Sequence, residues 1–324
     1  MKWTTLGSLP GTDMPAAARM LFDETPDLVA IPELPARGVG ADMVGRTLGL
    51  SMLGADLQPA GWRITDHHGA DQRRATRLLR QDLDVMEEQA QEFTGVVKLS
   101  IAGPWTLAAM VERPRGDKVL ADLGLARELT ASLVEGVSGL LEELRRRLPG
   151  ANWCLQLDEP MLGMVLDGGI ATASGYQRHR AVGATEAVEA LDAFSGLAGQ
   201  TVLHFCGAPL AAVLERTTIP QVSVDVTQLN DRHGDLLAPW LESGRGVWWG
   251  AVPTWPVDQV GAVDADLDRL MAFLRRMGLA PATVVDQSAI TPACGLAGWA
   301  PSPARQAIIR SRRIAELATE QLLA

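Results

Sequence analysis

Short apolar runs alternate with longer helical patterns along the whole chain. Eight of these runs are rich in β-branched and other apolar residues and are bounded by Gly, Pro, Asp or Ser, which predicts strands. The predicted strands are Trp3–Leu9, Leu28–Leu34, Val96–Ala102, Trp153–Asp158, Val202–Cys206, Val222–Thr227, Val247–Val252 and Thr283–Ser288.

Apolar residues at three- and four-residue spacing predict helices between most of these strands. The predicted helices are Arg73–Phe93, Leu123–Leu148, Glu186–Leu197, Leu210–Arg216, Asp264–Met277 and Pro303–Leu323. The segment Gly40–Leu57 is less defined, because its glycines weaken the helical pattern.

Eight strands that alternate with helices over 324 residues predict a (β/α)8 TIM barrel, of roughly 250 residues plus insertions. We find no linker and no repeat, and so expect a single domain over residues 1–324. A doubly wound open sheet is the alternative, but no G-x-G-x-x-G sequence follows an early strand.

Composition and charge narrow the possible partners. The chain is 47% hydrophobic and carries a formal net charge of -10, which argues against nucleic acid or an anionic membrane as a partner. It has no stretch of roughly 20 apolar residues and no signal-peptide pattern at its start. The odd number of widely spaced cysteines, Cys154, Cys206 and Cys294, favours reduced thiols. We therefore expect a cytoplasmic enzyme that acts on a small molecule.

Polar residues cluster where the predicted strands end. Active sites of TIM barrels lie at the carboxyl-terminal ends of the strands, so these residues are candidates for the site. They are Ser8, Glu33, Ser100, Asp158, His204, Cys206, Asp225 and Cys294.

Four of these candidates suit a zinc ion. His204 and Cys206, in TVLHFCGAP, share one face of a strand because side chains alternate along it. Cys294 follows the last predicted strand, and Asp225 ends QVSVDVT. A His-Cys-Cys set with a carboxylate or an exchangeable fourth position is typical of catalytic zinc, and thiolates disfavour magnesium or calcium. Cys154 lies deeper along its strand, and we expect it in the core.

Each of these assignments has a structural alternative. Cys294 fits equally a small residue packed under a loop, and Asp225 fits a cap of the following turn. If the zinc site forms, coordination deprotonates a substrate thiol and makes it a nucleophile. The chemistry that follows is alkyl transfer to sulfur.

Six motifs together resemble the catalytic C-terminal barrel of cobalamin-independent methionine synthase. They are TTLGSLPGTD, IPELPARGVGADMVG, VKLSIAGPWTL, LQLDEP, LHFCG and PACGL, in the family's order and from Thr4 to the final helix. The resemblance implies a (β/α)8 barrel, and it implies zinc ligation by His204, Cys206 and Cys294, with Asp225 where the family has a glutamate.

The resemblance also implies a homocysteine pocket. Ser8 would bind the carboxylate of the substrate, and Glu33 and Asp158 would bind its ammonium group through charge-assisted hydrogen bonds. Each has a structural alternative: Ser8 as a turn residue, Glu33 as a solvated charge, and Asp158 as a hydrogen-bond acceptor.

The half of the site that would handle the methyl donor departs from the family. The chain resembles short, core-only members without a further N-terminal barrel. Trp249 and Ala251, in GVWWGAVP, stand where the family has an acidic residue and a histidine. GWRITDHHGADQRR, with His67 and His68, replaces the family's folate-binding segment.

The sequence thus predicts a zinc-dependent methyltransferase that activates homocysteine or a similar small thiol. Its methyl donor is a protein-bound corrinoid or a folate. Two alternatives stay open: a related zinc enzyme of the wider uroporphyrinogen-decarboxylase-like barrel group that acts on another small thiol, and a non-catalytic barrel that senses a thiol.

Overall fold

Eight parallel strands surround one axis in a computed structural model, which describes residues 1–259 and 261–324. The strands of the chain are β1 (Lys2–Trp3), β2 (Leu28–Ala30), β3 (Gly54–Gln58), β4 (Gly61–Thr65), β5 (Val96–Ala102), β6 (Asn152–Asp158), β7 (Gln200–His204), β8 (Gln221–Asp225), β9 (Gly246–Val252) and β10 (Ser288–Pro292). Strands β3 and β4 form a separate antiparallel hairpin, and the other eight pair in the order β1-β10-β9-β8-β7-β6-β5-β2.

Helices follow most barrel strands and cover the outside of the sheet. They are α1 (Met14–Glu24), α2 (Met43–Leu48), α3 (Ala70–Gln89), α4 (Pro104–Met110), α5 (Leu123–Arg147), α6 (Leu162–Leu166), α7 (Ala184–Asp192), α8 (Ala211–Leu214), α9 (Asp231–Glu242), α10 (Val263–Arg276), α11 (Pro281–Asp286) and α12 (Pro301–Leu323). No helix within the described ranges has both the length and the apolar character that crossing a bilayer requires.

The ring of strands closes between the first two strands of the chain. Beyond the end of β1, Ser8 forms a parallel bridge with Glu33, which lies beyond the end of β2. The backbone N–H of Leu9 donates to the Glu33 carbonyl at 2.8 Å, and the Glu33 N–H donates to the Gly7 carbonyl at 3.0 Å. The predicted TIM barrel is therefore confirmed, and the open-sheet alternative is wrong.

The barrel interior changes from apolar to polar along its axis. A small apolar layer near the amino-terminal ends of the strands consists of Leu28, Cys154, Val202, Trp248 and Ala289. Cys154 is fully buried there, so its predicted place in the core is confirmed. The next interior positions carry polar groups, and the carboxyl-terminal mouth is where most predicted site residues lie.

The predicted eighth strand, Thr283–Ser288, is wrong. Most of that segment is helix α11, which begins at Pro281, and the last barrel strand is β10, which follows it. Proline suits the first turn of a helix because the missing N–H has no partner there. Packing of Val284 into the core overrides the strand preference of its β-branched neighbours.

Other segments differ from prediction as well. Gly40–Leu57 contains the short helix α2 and then most of β3, because the glycines end the helix early. The pattern also missed α1 and α9, although Asp13 and Asn230 cap their first turns through side-chain oxygens.

Candidate functional site

Three side chains converge at the carboxyl-terminal mouth of the barrel. His204 ends β7, Cys206 lies two residues further, and Cys294 lies two residues beyond β10. The Sγ atoms of Cys206 and Cys294 are 3.7 Å apart, and His204 Nε2 is 3.0 Å from the Sγ of Cys206. One nitrogen or sulfur atom of each residue lies within 4.8 Å of the others. The structure therefore brings together the His-Cys-Cys set that the sequence singles out.

These distances suit a zinc ion. Tetrahedral zinc with Zn–S bonds of about 2.3 Å holds two sulfur ligands roughly 3.8 Å apart. The observed separation of 3.7 Å between the two Sγ atoms is close to that value. An imidazole and two thiols are soft enough to select zinc over magnesium or calcium. The donor set and its spacing thus fit a zinc site with room for a further ligand.

A buried hydroxyl orients the His204 ring. The side chain of His204 is only 2% exposed, and its Nδ1 lies 3.0 Å from Ser223 Oγ on the neighbouring strand β8. When Nδ1 carries the ring proton and donates it to Ser223, the lone pair of Nε2 faces the two sulfur atoms. Ser223 therefore sets the ring orientation that a metal ligand needs.

Cys206 reaches the site through a left-handed backbone. Its φ is 56°, a region that non-glycine residues seldom occupy and that costs of order 1–3 kcal/mol. Strand β7 ends at His204, so Cys206 lies beyond the strand and its side chain reaches His204 through this turn. The prediction that alternation along one strand brings the two side chains together is therefore wrong. Strands β7 and β10 are separated by β8 and β9, and the two loops therefore turn inward over the mouth.

The contact between the two thiols shifts their pKa values in opposite directions. A hydrogen bond with Cys206, opposed by burial and assisted by His204, lowers the pKa of Cys294 to about 4. The same contact with Cys294, together with burial, raises the pKa of Cys206. The lowered pKa of one thiol favours its thiolate, which is the form that binds metals.

Asp225 lies outside the group of three. Its Oδ1 accepts hydrogen bonds from the N–H and the hydroxyl of Thr227 at 2.8 and 2.7 Å, and its Oδ2 accepts one from Gln228 at 2.9 Å. In this arrangement Asp225 caps the turn at residues 226–228, which is the structural alternative considered for it.

Ser8 and Glu33 lie together where the barrel closes. Gly7 has a φ of 114°, and a Cβ there would lie 2.6 Å from Glu33 Oε1, so the carboxylate folds over the Gly7 backbone. Ser8 also approaches the loop that carries Cys294, because a Cβ on Gly295 would lie 1.9 Å from Ser8 Oγ. The backbone N–H of Leu296 donates to the Ser8 carbonyl at 2.8 Å. The predicted carboxylate-binding residue thus contacts the metal-site loop directly.

Glu33 and Asp158 are buried carboxylates without a salt bridge among the described residues. Burial raises the pKa of Glu33 to about 7, opposed most by Arg46 and reinforced by the nearby Asp158. Burial also raises the pKa of Asp158, opposed most by His204. Two buried carboxyl groups whose charges lack full compensation favour a cationic ligand such as an ammonium group.

Three polar residues next to the site were not singled out from the sequence. Gln156 donates to Asp158 Oδ1 at 2.7 Å, and Lys98 donates to Gln156 Oε1. Ser223 contacts His204, as described above. Alternation along a strand places Gln156 on the same face as Asp158 and Ser223 on the same face as Asp225, and a lysine inside the apolar run of β5 is the remaining signal in the sequence.

Glu159, in LQLDEP, has a structural role. Its carboxylate accepts from the N–H groups of Trp105 and Thr106 at 2.9 and 2.7 Å and from the Thr106 hydroxyl at 2.7 Å. It therefore caps the first turn of α4 and lies within the protein at 1% exposure.

Trp249 and Ala251, the two positions for which the resemblance implies an acidic residue and a histidine, carry side chains that do not titrate. Trp249 and Ala251 are fully buried, and the Trp249 indole packs edge-on against Phe273 of α10 and donates to Ser288 at 2.8 Å. His67 and His68 are exposed in the loop between β4 and α3. Trp249 thus faces the surrounding helices.

A cavity of about 370 Å³ opens at the opposite, amino-terminal mouth of the barrel, lined in part by Lys2, Gln221, Trp248 and Gln287. Trp248 Nε1 donates to Gln221 Oε1 at 2.7 Å, which satisfies its one polar group. None of the predicted site residues lines this cavity, and we place the site at the other mouth, where the metal-competent side chains converge.

The fold and site define a (β/α)8 barrel protein with a His-Cys-Cys centre at its carboxyl-terminal mouth. The model of the family described as "Cobalamin-independent synthase, Catalytic domain" matches residues 71–317, which is more than half of the chain. The chain therefore belongs to this family. The matched region contains Asp158 and the three converging residues, whereas Ser8 and Glu33 precede it.

A solved structure agrees on the fold. A B12-independent methionine synthase from Shewanella sp. W3-18-1, in complex with selenomethionine, is similar with a TM-score of 0.65 at 15% identity, covering 99% of this chain and 98% of that one. A GH5_18 protein from Bifidobacterium longum subsp. longum ATCC 55813, in complex with Manb1-4GlcNAc, has a TM-score of 0.49 at 11% identity, covering 99% of this chain and 78% of that one. This similarity is too low to inform the site. No curated protein matches the sequence.

Proposed function

We propose that the protein is a zinc-dependent methyltransferase that methylates the sulfur of homocysteine, or of a similar small thiol, to give methionine. One observation carries the proposal: His204, Cys206 and Cys294 converge at the barrel mouth with their sulfur atoms 3.7 Å apart. Membership of the cobalamin-independent synthase family supports it, as does the selenomethionine complex of the Shewanella protein.

Zinc bound to these three residues would lower the pKa of a substrate thiol and so supply a thiolate nucleophile at neutral pH. The fourth position is proposed for the substrate, with Asp225 as the ligand in its absence. For that role the Asp225 carboxylate must release Thr227 and Gln228, its partners in the structure.

The chain's own residues would hold the amino-acid end of the substrate. Ser8, next to the Cys294 loop, would donate to the carboxylate, and the buried carboxylates of Glu33 and Asp158 would accept from the ammonium group. Anchoring that end fixes where the thiol lies and lowers the entropic cost of the reaction.

In the proposed reaction a methyl group passes from the donor to the sulfur of the substrate. The thiol loses its proton, a sulfur lone pair forms the new S–C bond, and the bond between the methyl group and the donor breaks with its electron pair left on the donor. The proposed donors are a corrinoid carried by a protein, which would keep the electron pair while the thiol proton passes to solvent, and a methylated folate, whose departing nitrogen would also take up a proton.

The test is methionine formation by the zinc-loaded protein from homocysteine with either methylcobalamin or a methyl-folate. We expect methionine with one of the two donors and none from the Cys294→Ser variant. Zinc and homocysteine binding without methionine from either donor would instead support a sensor of thiols. The buried positions of Trp249 and Ala251, which offer no acid to the mouth, are the observation that favours this second candidate.

A further inference from the structure

Lys98 is a lysine enclosed inside the barrel. It lies in the middle of β5, is 0% exposed, and has no carboxylate within salt-bridge distance in the part of the chain that the structure describes. Its Nζ donates to Gln156 Oε1, lies 3.4 Å from Ser100 Oγ, and stands 5.7 Å from the centre of the Trp248 ring. Burying an ammonium group in this way costs free energy of folding, so an apolar side chain would stabilise the interior better if the position were purely structural.

The lysine determines which way the Gln156 amide points. An ammonium group only donates hydrogen bonds, so it must bond the amide oxygen and not the amide nitrogen. The Gln156 NH2 group then points away from Lys98 and donates to two acceptors, the Leu6 carbonyl at 3.0 Å and Asp158 Oδ1 at 2.7 Å. All three partners therefore require the same orientation of Gln156.

The Gln156 amide in turn fixes the Asp158 carboxylate. Oδ1 is occupied by Gln156, while Oδ2 has no hydrogen-bond partner among the described residues. Asp158 ends β6 at the barrel mouth, and its backbone pairs in register with His204 of the metal centre. The free oxygen thus belongs to the end of the side chain that a ligand at the mouth can reach.

We infer that Lys98 is a positioning residue: through Gln156 it orients the Asp158 carboxylate toward the substrate's ammonium group, so that the site selects thiols bearing an α-ammonium group over thiols without one. The inference rests on the proposed function, since it assumes a thiol substrate at the zinc centre.

The sign of the effect follows from the order of the groups. Gln156 and Asp158 lie between Lys98 and the substrate ammonium, so the attraction that holds Asp158 acts over a shorter distance than the repulsion between the two cations. Removing the lysine therefore weakens ammonium binding on balance.

The experiment is a double-mutant cycle on the zinc-loaded protein, with binding followed by calorimetry. The ligands are homocysteine and 4-sulfanylbutanoate, which has the same thiol and carboxylate but no amino group. We expect Lys98→Met to weaken homocysteine binding about tenfold and to change binding of the analogue by less than about twofold. In an Asp158→Asn background the same change should weaken homocysteine binding by less than about twofold, because the carboxylate it acts on is absent.

A neighbouring variant controls for general damage to the interior. Cys154 lies in register with Lys98 on the adjacent strand, and Cys154→Ala should leave both affinities unchanged. If Lys98→Met does not fold, Gln156→Leu breaks the same connection and completes the cycle.

The outcomes separate this inference from the proposed function. Equal weakening of both ligands, or effects of Lys98 and Asp158 that simply add, would overturn the role of Lys98 while the zinc–thiol site stands. Failure of the unmodified protein to bind either thiol would overturn the proposed function, and the inference with it.

Discussion

Glu33 is the residue at which burial and charge conflict most clearly. Burial raises its pKa from 4.5 to about 7 against the attraction of Arg46. Between these two pH values the folded protein binds more protons at Glu33 than the unfolded chain does, so the free energy of unfolding falls as the pH rises through this window.

The Glu33→Gln variant should therefore lose this pH dependence. Relative to the variant, the unfolding free energy of the unmodified protein should fall by up to about 3 kcal/mol between pH 4.5 and 7.5. Urea unfolding at several pH values measures this difference, and contributions from other groups such as Glu159 cancel in it. Parallel curves for the two proteins would show that Glu33 is not held in the predicted environment.

At the same scale, residue identities were easier to predict than residue contacts. His204, Cys206 and Cys294 could be named from the sequence because few side chains bind zinc. The left-handed backbone of Cys206 and the hydrogen bond of His204 with Ser223 could not, since both depend on how separate strands pack. The same holds for Lys98, whose role becomes visible only through Gln156.

Among the elements, α4 depends on a cap supplied by another segment. Glu159 accepts all three hydrogen bonds from Trp105 and Thr106 that were described above, and both of these residues are buried. Because Glu159 directly follows Asp158, the cap also ties α4 to the site.

Glu159→Ala should lower the free energy of unfolding by about 3 kcal/mol, because it leaves buried donors unsatisfied. Thermal and urea unfolding measure the loss, and the zinc content should remain that of the unmodified protein. Glu128→Ala, at an exposed position of α5, should change stability by less than about 0.5 kcal/mol. A matching small effect at Glu159 would mean that α4 does not need the cap.

Among the helices and strands, prediction succeeded where the hydrophobic pattern was clear and failed for some short segments. The bounds of β5 agree with prediction, and those of α5 agree within one residue, because their patterns extend over many residues. The helix α11 was mistaken for a strand, since the short run Thr283-Val284-Val285 does not distinguish the two.

For the molecule as a whole, the segments that close the barrel also bring parts of the site together. The chain's first strand region supplies Ser8, which packs directly against Gly295 in the loop after the last strand, and Gly295 directly follows Cys294. The barrel could be predicted from the alternation of strands and helices. This contact could not, because it joins segments almost 300 residues apart in sequence.

Gly295→Ala tests that coupling. Its Cβ would lie 1.9 Å from Ser8 Oγ and 3.2 Å from Ser8 Cβ, so the Ser8 side chain or one of the two segments must shift, and we expect a loss of about 1–3 kcal/mol in unfolding free energy together with weaker zinc binding. Gly298 offers a matched control in the same loop, since a Cβ there meets no atom within 4 Å. Equal zinc affinities in Gly295→Ala and Gly298→Ala would argue against the coupling.

The most direct test of the zinc–thiol centre is absorption at the zinc K-edge, recorded with and without homocysteine. The zinc protein should show one ion per chain with two sulfur ligands and at least one nitrogen ligand, and homocysteine should add a third sulfur. Cys206→Ser and Cys294→Ser should lose the ion, and Cys154→Ser should retain it. Unchanged zinc content in the first two variants, or a sulfur count that homocysteine leaves at two, would contradict the account.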